Sequence, residues 1–244
     1  FDEGLMCLRI TFGFCALALG AGCETVPVNQ TGADAPAVVA GAITIGSSSQ
    51  AARAFAQVTT RVEPVAEREC RSRTSDVNCD FRIVIDDRAG QPSNAYQFLD
   101  KNNRPVIAFT LKLIDEARNA DELAFVMGHE AAHHIRGHIA RQQKNAVAGA
   151  VIFAGLATLT GASAAGVDEA TKLGAQIGAR SYSKDFELEA DALGTVITHH
   201  AGFSPLNGAA FFTRIPDPGD RFLGTHPPNA SRIQTVRNTA ATLN

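Results

Sequence analysis

The sequence predicts an α+β fold, predominantly helical, with one small antiparallel sheet. Three observations lead there. Stretches before residue 72 and after residue 110 repeat apolar residues three or four apart, the spacing of a helix with one buried face. Between residues 81 and 110, three short alternating stretches surround polar turns, the signature of strands. A helical stretch after Asn119 then carries four of the seven histidines within ten residues.

Composition narrows the classes. The 244 residues suit one large domain or two small ones, at about 150 residues per domain. With 45% hydrophobic and 19% charged residues, the chain has the makings of a core, which excludes a disordered or collagen-like chain and a polytopic membrane protein. A net charge of −3 without a basic run gives no electrostatic case for nucleic acid. The lack of Trp and the presence of only two Tyr argue against an aromatic sugar platform.

The first segment reads as a lipoprotein-type signal over residues 1–22. Met6 is taken as the natural start; Arg9 precedes an apolar run, Ile10 to Leu19, and small residues lead to Cys23. That run is too short to span a bilayer, which takes about 20 residues. Cys23 after Ala21-Gly22 resembles a lipobox, although Gly20 stands where Leu is usual, and is expected to be lipidated. Glu24 rather than Asp follows it, which by analogy with enteric bacteria favours an outer-membrane anchor facing the periplasm. Residues 23–46, rich in Pro, Gly, Ala and Thr, read as a flexible tether. Cys7 and Cys15 leave with the signal. Cys70 and Cys79 remain, and in an oxidising compartment they are expected to form a local disulfide.

The folded region is expected over residues 47–244. Ser47 to Arg71 spaces Ala51, Phe55, Val58, Val62 and Val65 as a helix. Phe81 to Ile85, Asn94 to Phe98 and Pro105 to Thr110 read as strands, and Leu111 to Arg118 as a helix. Another helix begins near Asp121, taken as its cap. Asn145 to Gly166 is almost uncharged and rich in Ala and Gly. It reads either as a membrane-inserting hairpin or span, or as a buried or lid-like helix pair packed closely through small residues; the second, globular or surface-associated, reading is preferred. Asn229 to Thr242 reads as a last amphipathic helix.

The chemistry concentrates at His129-Glu130-Ala131-Ala132-His133. On a helix, positions i and i+4 share one face, so both imidazoles can reach one metal ion, with Glu130 beside them to take a proton from water. The apolar lead-in, Leu123 to Met127, buries that helix, and buried imidazoles and carboxylates are costly without a metal or partners. A catalytic zinc site needs a third protein ligand and an open position. Arg136 and Ile139 stand where a metzincin has Gly and His, which excludes that class. A later helix, Ser183 to Asp191, offers two carboxylate pairs at i, i+4: Asp185 with Glu189, and Glu187 with Asp191. Helical spacing does not choose between them.

Four pieces of sequence carry a family resemblance: Asp121-Glu122-Leu123-Ala124, Gly128-His129-Glu130-Ala131-Ala132-His133, Glu187-Leu188-Glu189-Ala190-Asp191, and Thr225-His226-Pro227-Pro228 followed by Arg232-Ile233. In order and spread they resemble the zinc metallopeptidase family that includes HtpX, BepA and the CAAX prenyl protease, over roughly residues 47 to 240. The resemblance implies a zincin-like metallopeptidase domain with one Zn2+ per chain. It implies His129, His133 and Glu187 as ligands, Glu130 as the acid–base group, and Asp191 as the partner orienting a ligand histidine. His226 would steady the oxyanion or occupy a fourth zinc position and hold the enzyme off, and Arg232 would anchor the loop near the site. His134 and His138 are expected outside the ligand set, and His199 and His200 as helix-end residues. The strand from Arg104 to Thr110 resembles the edge that pairs with an extended substrate. The implied function is an envelope metalloendopeptidase acting on unfolded or misassembled polypeptides. The alternative is a non-proteolytic zinc-binding assembly factor or chaperone.

Overall fold

Strand β3 (Pro105–Thr110) is buried along its whole length, and the rest of the sheet follows from that. A strand covered on both faces belongs in the middle, and β1 (Arg82–Asp86) and β2 (Ala95–Leu99) flank it in the order β1-β3-β2. The computed structural model describes residues 50–181, 183–221, 224 and 226–243. The expected signal, the tether, Cys23 and Thr225 lie outside the described residues.

The sheet is small, as expected, but mixed rather than antiparallel. The β2–β3 hairpin is antiparallel, with Gln97 opposite Ile107, whereas β1 runs parallel to β3, with Val84 opposite Ala108. The chain leaves β1, crosses to the far side as β2, and turns back into the gap. Alternation in the sequence locates strands but not their order. This order also corrects the expectation that Arg104 to Thr110 is an edge: β3 is paired on both sides, and the edges are β1 and β2.

Helix α1 (Gln50–Arg73) buries Phe55, Val58, Val62, Val65 and Ala66 at the predicted spacing. They join Phe81, Ile107 and Phe109 of the sheet region, Leu123 and Met127 of helix α3 (Ala120–Ile135), and Leu193 and Ile197 of helix α6 (Ser183–His200) in one core. Phe55 meets Phe109 edge-on at 5.1 Å between ring centres, the arrangement aromatic quadrupoles prefer. Helix α2 (Leu111–Glu116) links β3 to α3. Asn119 caps α3, its side chain accepting from the Glu122 N–H at 2.9 Å. Asp121, the expected cap, lies inside the first turn. It accepts instead from the Ser204 N–H at 2.9 Å, ahead of helix α7 (Pro205–Ala209).

The almost uncharged stretch lies in two helices, α4 (His138–Leu159) and α5 (Ala164–Arg180), joined by a tight turn. They pack closely through small residues, as the preferred reading expects, but most of α5 lies beyond the stretch and the pair is largely exposed where that reading allowed a buried one. A Cβ added to Gly174 would come within 2.3 Å of the Gly149 carbonyl oxygen, so only glycine permits this approach. Val147, Val151, Ile152, Leu156 and Leu159 form an exposed apolar stripe along α4. No helix among the described residues is long and apolar enough to cross a membrane.

Cys70 at the end of α1 is bonded to Cys79 before β1, as expected from the cysteine count. The loop so closed also holds His134, whose Nε2 lies 2.8 Å from the Asn78 carbonyl oxygen. Closing a loop of this size restricts the unfolded chain by about 2–3 kcal/mol. The Cys70→Ala/Cys79→Ala double variant should therefore lose that much stability in denaturant titration. Wild type in strong reductant should behave alike, whereas an unchanged midpoint in both would show the bond to be neutral.

Candidate metal centre and active site

The site forms where α3 crosses α6, and the crossing is set by two glycines. A Cβ on Gly194 would sit 2.9 Å from the His129 backbone nitrogen, and one on Gly128 would sit 2.9 Å from the Gly194 carbonyl oxygen. Backbone touches backbone, so side chains immediately beside the crossing converge from both helices.

Three donors meet there. His129 Nε2 and His133 Nε2 are 3.0 Å apart, His133 Nε2 is 3.3 Å from Glu187 Oε1, and His129 Nε2 is 3.6 Å from Glu187 Oε2. Ligands of a tetrahedral ion with bonds of about 2.0–2.1 Å are separated by about 3.3 Å. Two imidazole nitrogens and a carboxylate at this spacing form a fitting donor set for a metal ion. Of the two carboxylate pairs that spacing left open, the structure brings Glu187 and Asp191 to the histidines. Asp185 is exposed, and Glu189 joins a separate cluster.

The buried surroundings orient the donors. His129 Nδ1–H donates to Asp191 Oδ1 at 2.9 Å, which turns Nε2 toward the donor cluster. Asp191 is fully buried and accepts from Arg232 Nε and Nη2 at 2.7 Å each. Arg232, from helix α8 (Asn229–Ala240), also lies 3.4 Å from Glu187 Oε2 and packs over the Phe212 ring. His226 Nδ1 lies 3.2 Å from Glu187 Oε2, so the Pro-flanked segment before α8 reaches the cluster.

Charge states follow from these contacts. Burial alone would raise the Glu187 carboxyl, but Arg232 and the neighbouring imidazoles hold it well below the carboxylate range. Asp191 is likewise held down against its burial by Arg232 and His129. For His129, burial disfavours the charged ring, and the bonds to Asp191 and Glu187 more than offset that, raising it to about 9. Glu130 differs in sign. Burial pushes its carboxyl above the ordinary value against the pull of His133 and His129. A carboxyl so tuned can both accept and return a proton.

Residues 52–240 match the pattern of peptidase family M48. The chain belongs to peptidase family M48. Among M48 relatives, it is 32% identical over 182 residues to the beta-barrel assembly-enhancing protease of Yersinia pestis, covering 66% of this chain and 34% of that protein. It is 30% identical over 169 residues to the protein of the same name from Escherichia coli O157:H7, covering 60% and 32%. The putative beta-barrel assembly-enhancing protease of Vibrio cholerae is 32% identical over 151 residues, covering 55% and 30%. The matched region thus spans about a third of each M48 relative's length.

Among the remaining histidines, His134 is tied to the disulfide loop and His200 Nδ1 pairs with Glu69 at 2.8 Å, both away from the donors. Sequence reading missed the second cluster, made of His138, Arg141 and Glu189. Its signal was present in the unused carboxylate pair containing Glu189 and in Arg141 one turn beyond His138. Nothing in helical spacing linked the two across the chain.

Proposed function

We propose that the chain is a zinc-dependent metalloendopeptidase of the bacterial cell envelope, hydrolysing peptide bonds in unfolded or misassembled proteins. The observation that carries this reading is the convergence of His129 Nε2, His133 Nε2 and a Glu187 oxygen at tetrahedral-edge spacings beside a buried Glu130. M48 membership and relatives named as proteases support it.

In this reading His129, His133 and Glu187 hold one Zn2+. The bound ion supplies Lewis acidity toward the scissile carbonyl and toward water. Glu130 accepts a proton from the attacking water and returns it to the leaving amine. His226, beside Glu187, would donate to the developing oxyanion, a role worth about 3 kcal/mol for a single donor. Asp191 and Arg232 fix His129, and Arg232 also compensates the carboxylates around it. An extended substrate would pair along the outer edge of β2, the edge strand packed beside α3, through backbone hydrogen bonds that tolerate many sequences. The signal-like start and Cys23 support anchoring by a lipid, with the catalytic body in the periplasm and the outer membrane favoured. The relatives' names, beta-barrel assembly-enhancing protease, support clients connected with β-barrel assembly.

One observation favours a second reading. His226 lies against Glu187, where it could occupy a ligand position and keep the chain a non-proteolytic zinc-binding assembly factor. Chelation separates the two. A tight chelator should abolish cleavage of reduced, unfolded casein, and one equivalent of zinc should restore it. Zinc-loaded protein that leaves casein intact would favour the assembly factor; cleavage that survives full metal removal would remove the metallopeptidase reading.

A further inference from the structure

On its Nδ1 side His133 meets an imidazole where His129 meets the carboxylate of Asp191. His133 Nδ1 lies 2.7 Å from Nδ1 of His138, whose Nε2 lies 3.2 Å from Glu189 Oε2. Arg141 donates to both oxygens of Glu189, at 2.6 and 3.0 Å. His138 is buried and its ring stacks on Phe186 at 4.6 Å, while the Arg141 guanidinium packs over the same ring. His138 is therefore held in place independently of His133.

The proton positions along this chain follow from donor and acceptor chemistry. A carboxylate gripped by a guanidinium only accepts, so His138 must carry its proton on Nε2. A neutral ring then presents Nδ1 as a lone pair, and His133 must donate from its own Nδ1. That leaves the lone pair of His133 on Nε2, the atom 3.0 Å from His129 Nε2 and 3.3 Å from Glu187 Oε1. On the other side, Asp191 backed by Arg232 engages Nδ1 of His129 directly and leaves its Nε2 facing the donor cluster.

We infer that Glu189 and Arg141, acting through His138, are positioning residues that set the tautomer and ring orientation of His133 for metal binding. Each histidine of the donor set is thus governed by a carboxylate–arginine pair, one in direct contact and one through an intervening imidazole. Glu189 receives a function that its place in the unused carboxylate pair did not suggest. The inference rests on the reading of His129, His133 and Glu187 as metal ligands.

The test uses the full chain and two readouts. Zinc affinity is measured by chelator competition, and imidazole tautomers are measured by long-range proton–nitrogen correlation spectra of the metal-free protein. His138→Phe and Glu189→Leu should each weaken zinc binding 10- to 100-fold. In both, the His133 signals should change from a single Nδ1–H form to a mixture. Glu189→Gln keeps an acceptor oxygen for His138 and should recover most of the affinity. Glu189 is partly exposed, so its variants test the idea even if His138→Phe folds poorly. Affinities within twofold of wild type with an unchanged tautomer would overturn the inference. If wild type binds no zinc, the metallopeptidase reading fails, and the His133 tautomer still decides for or against the relay.

Discussion

Replacing Glu130 with Gln should reduce casein hydrolysis by about 10²- to 10⁴-fold, the range that a positioned acid–base group contributes. Zinc content should stay at one per chain. Gln keeps the shape of the side chain but cannot take a proton from water, so the loss falls on chemistry and not on metal retention. The environment supports that separation. Glu130 is buried one position after His129 and is not among the converging donors. Its carboxyl is raised by burial and by the Glu187 charge, so neutralising it removes a destabilised anion. Thermal stability should therefore hold or rise slightly. Equal hydrolysis by Glu130→Gln and wild type at equal zinc loading would remove Glu130 from the mechanism and the peptidase reading with it.

Much of this site was legible in one dimension because its geometry is local. His129 and His133 share a helix face by spacing alone, and the apolar lead-in from Leu123 to Met127 foretold their burial. The third donor was not determined by spacing, since Asp185 with Glu189 repeats the same interval as Glu187 with Asp191. Only packing separates the pairs, by turning Glu187 and Asp191 toward α3 and Asp185 to solvent. Similar limits governed the sheet. Alternation located all three strands to within a residue, yet β3 went to the centre because it is apolar enough to be covered on both faces. The cap of α3 moved from Asp121 to Asn119 because two residues of cap type lie two apart, and the one whose side chain meets the Glu122 N–H wins. The disulfide was readable from the small separation of its cysteines together with the oxidising compartment that the signal-like segment implies.

The other large effect is expected far from any charged group, at Gly194. Glu187 reaches two histidines from a distant part of the chain only because α3 and α6 approach until their backbones touch. A Cβ at Gly194 would meet the His129 nitrogen at 2.9 Å and its Cα at 3.0 Å, and neither atom can swing aside as a flexible side chain would. Gly194→Val must therefore part the helices. Overpacking of a tight core costs about 1–3 kcal/mol, and here the strain falls on the backbone of His129, one of the three converging donors. Glu187, now 3.3 Å from His133 Nε2 and 3.6 Å from His129 Nε2, would move away from both with its helix, beyond the edge of a tetrahedral site. We expect zinc affinity to fall at least 100-fold and hydrolysis to vanish, although no ligand has been changed. Gly155→Ala on α4 is the control: nothing lies within 4 Å of its added Cβ, and an exposed helical glycine gains up to about 1 kcal/mol from alanine. Thermal melts of the two variants should move in opposite directions, and chelator competition should leave Gly155→Ala at the wild-type affinity while Gly194→Val loses it. Wild-type zinc affinity in Gly194→Val would mean that the donors converge without the close crossing, and that the glycines serve packing alone.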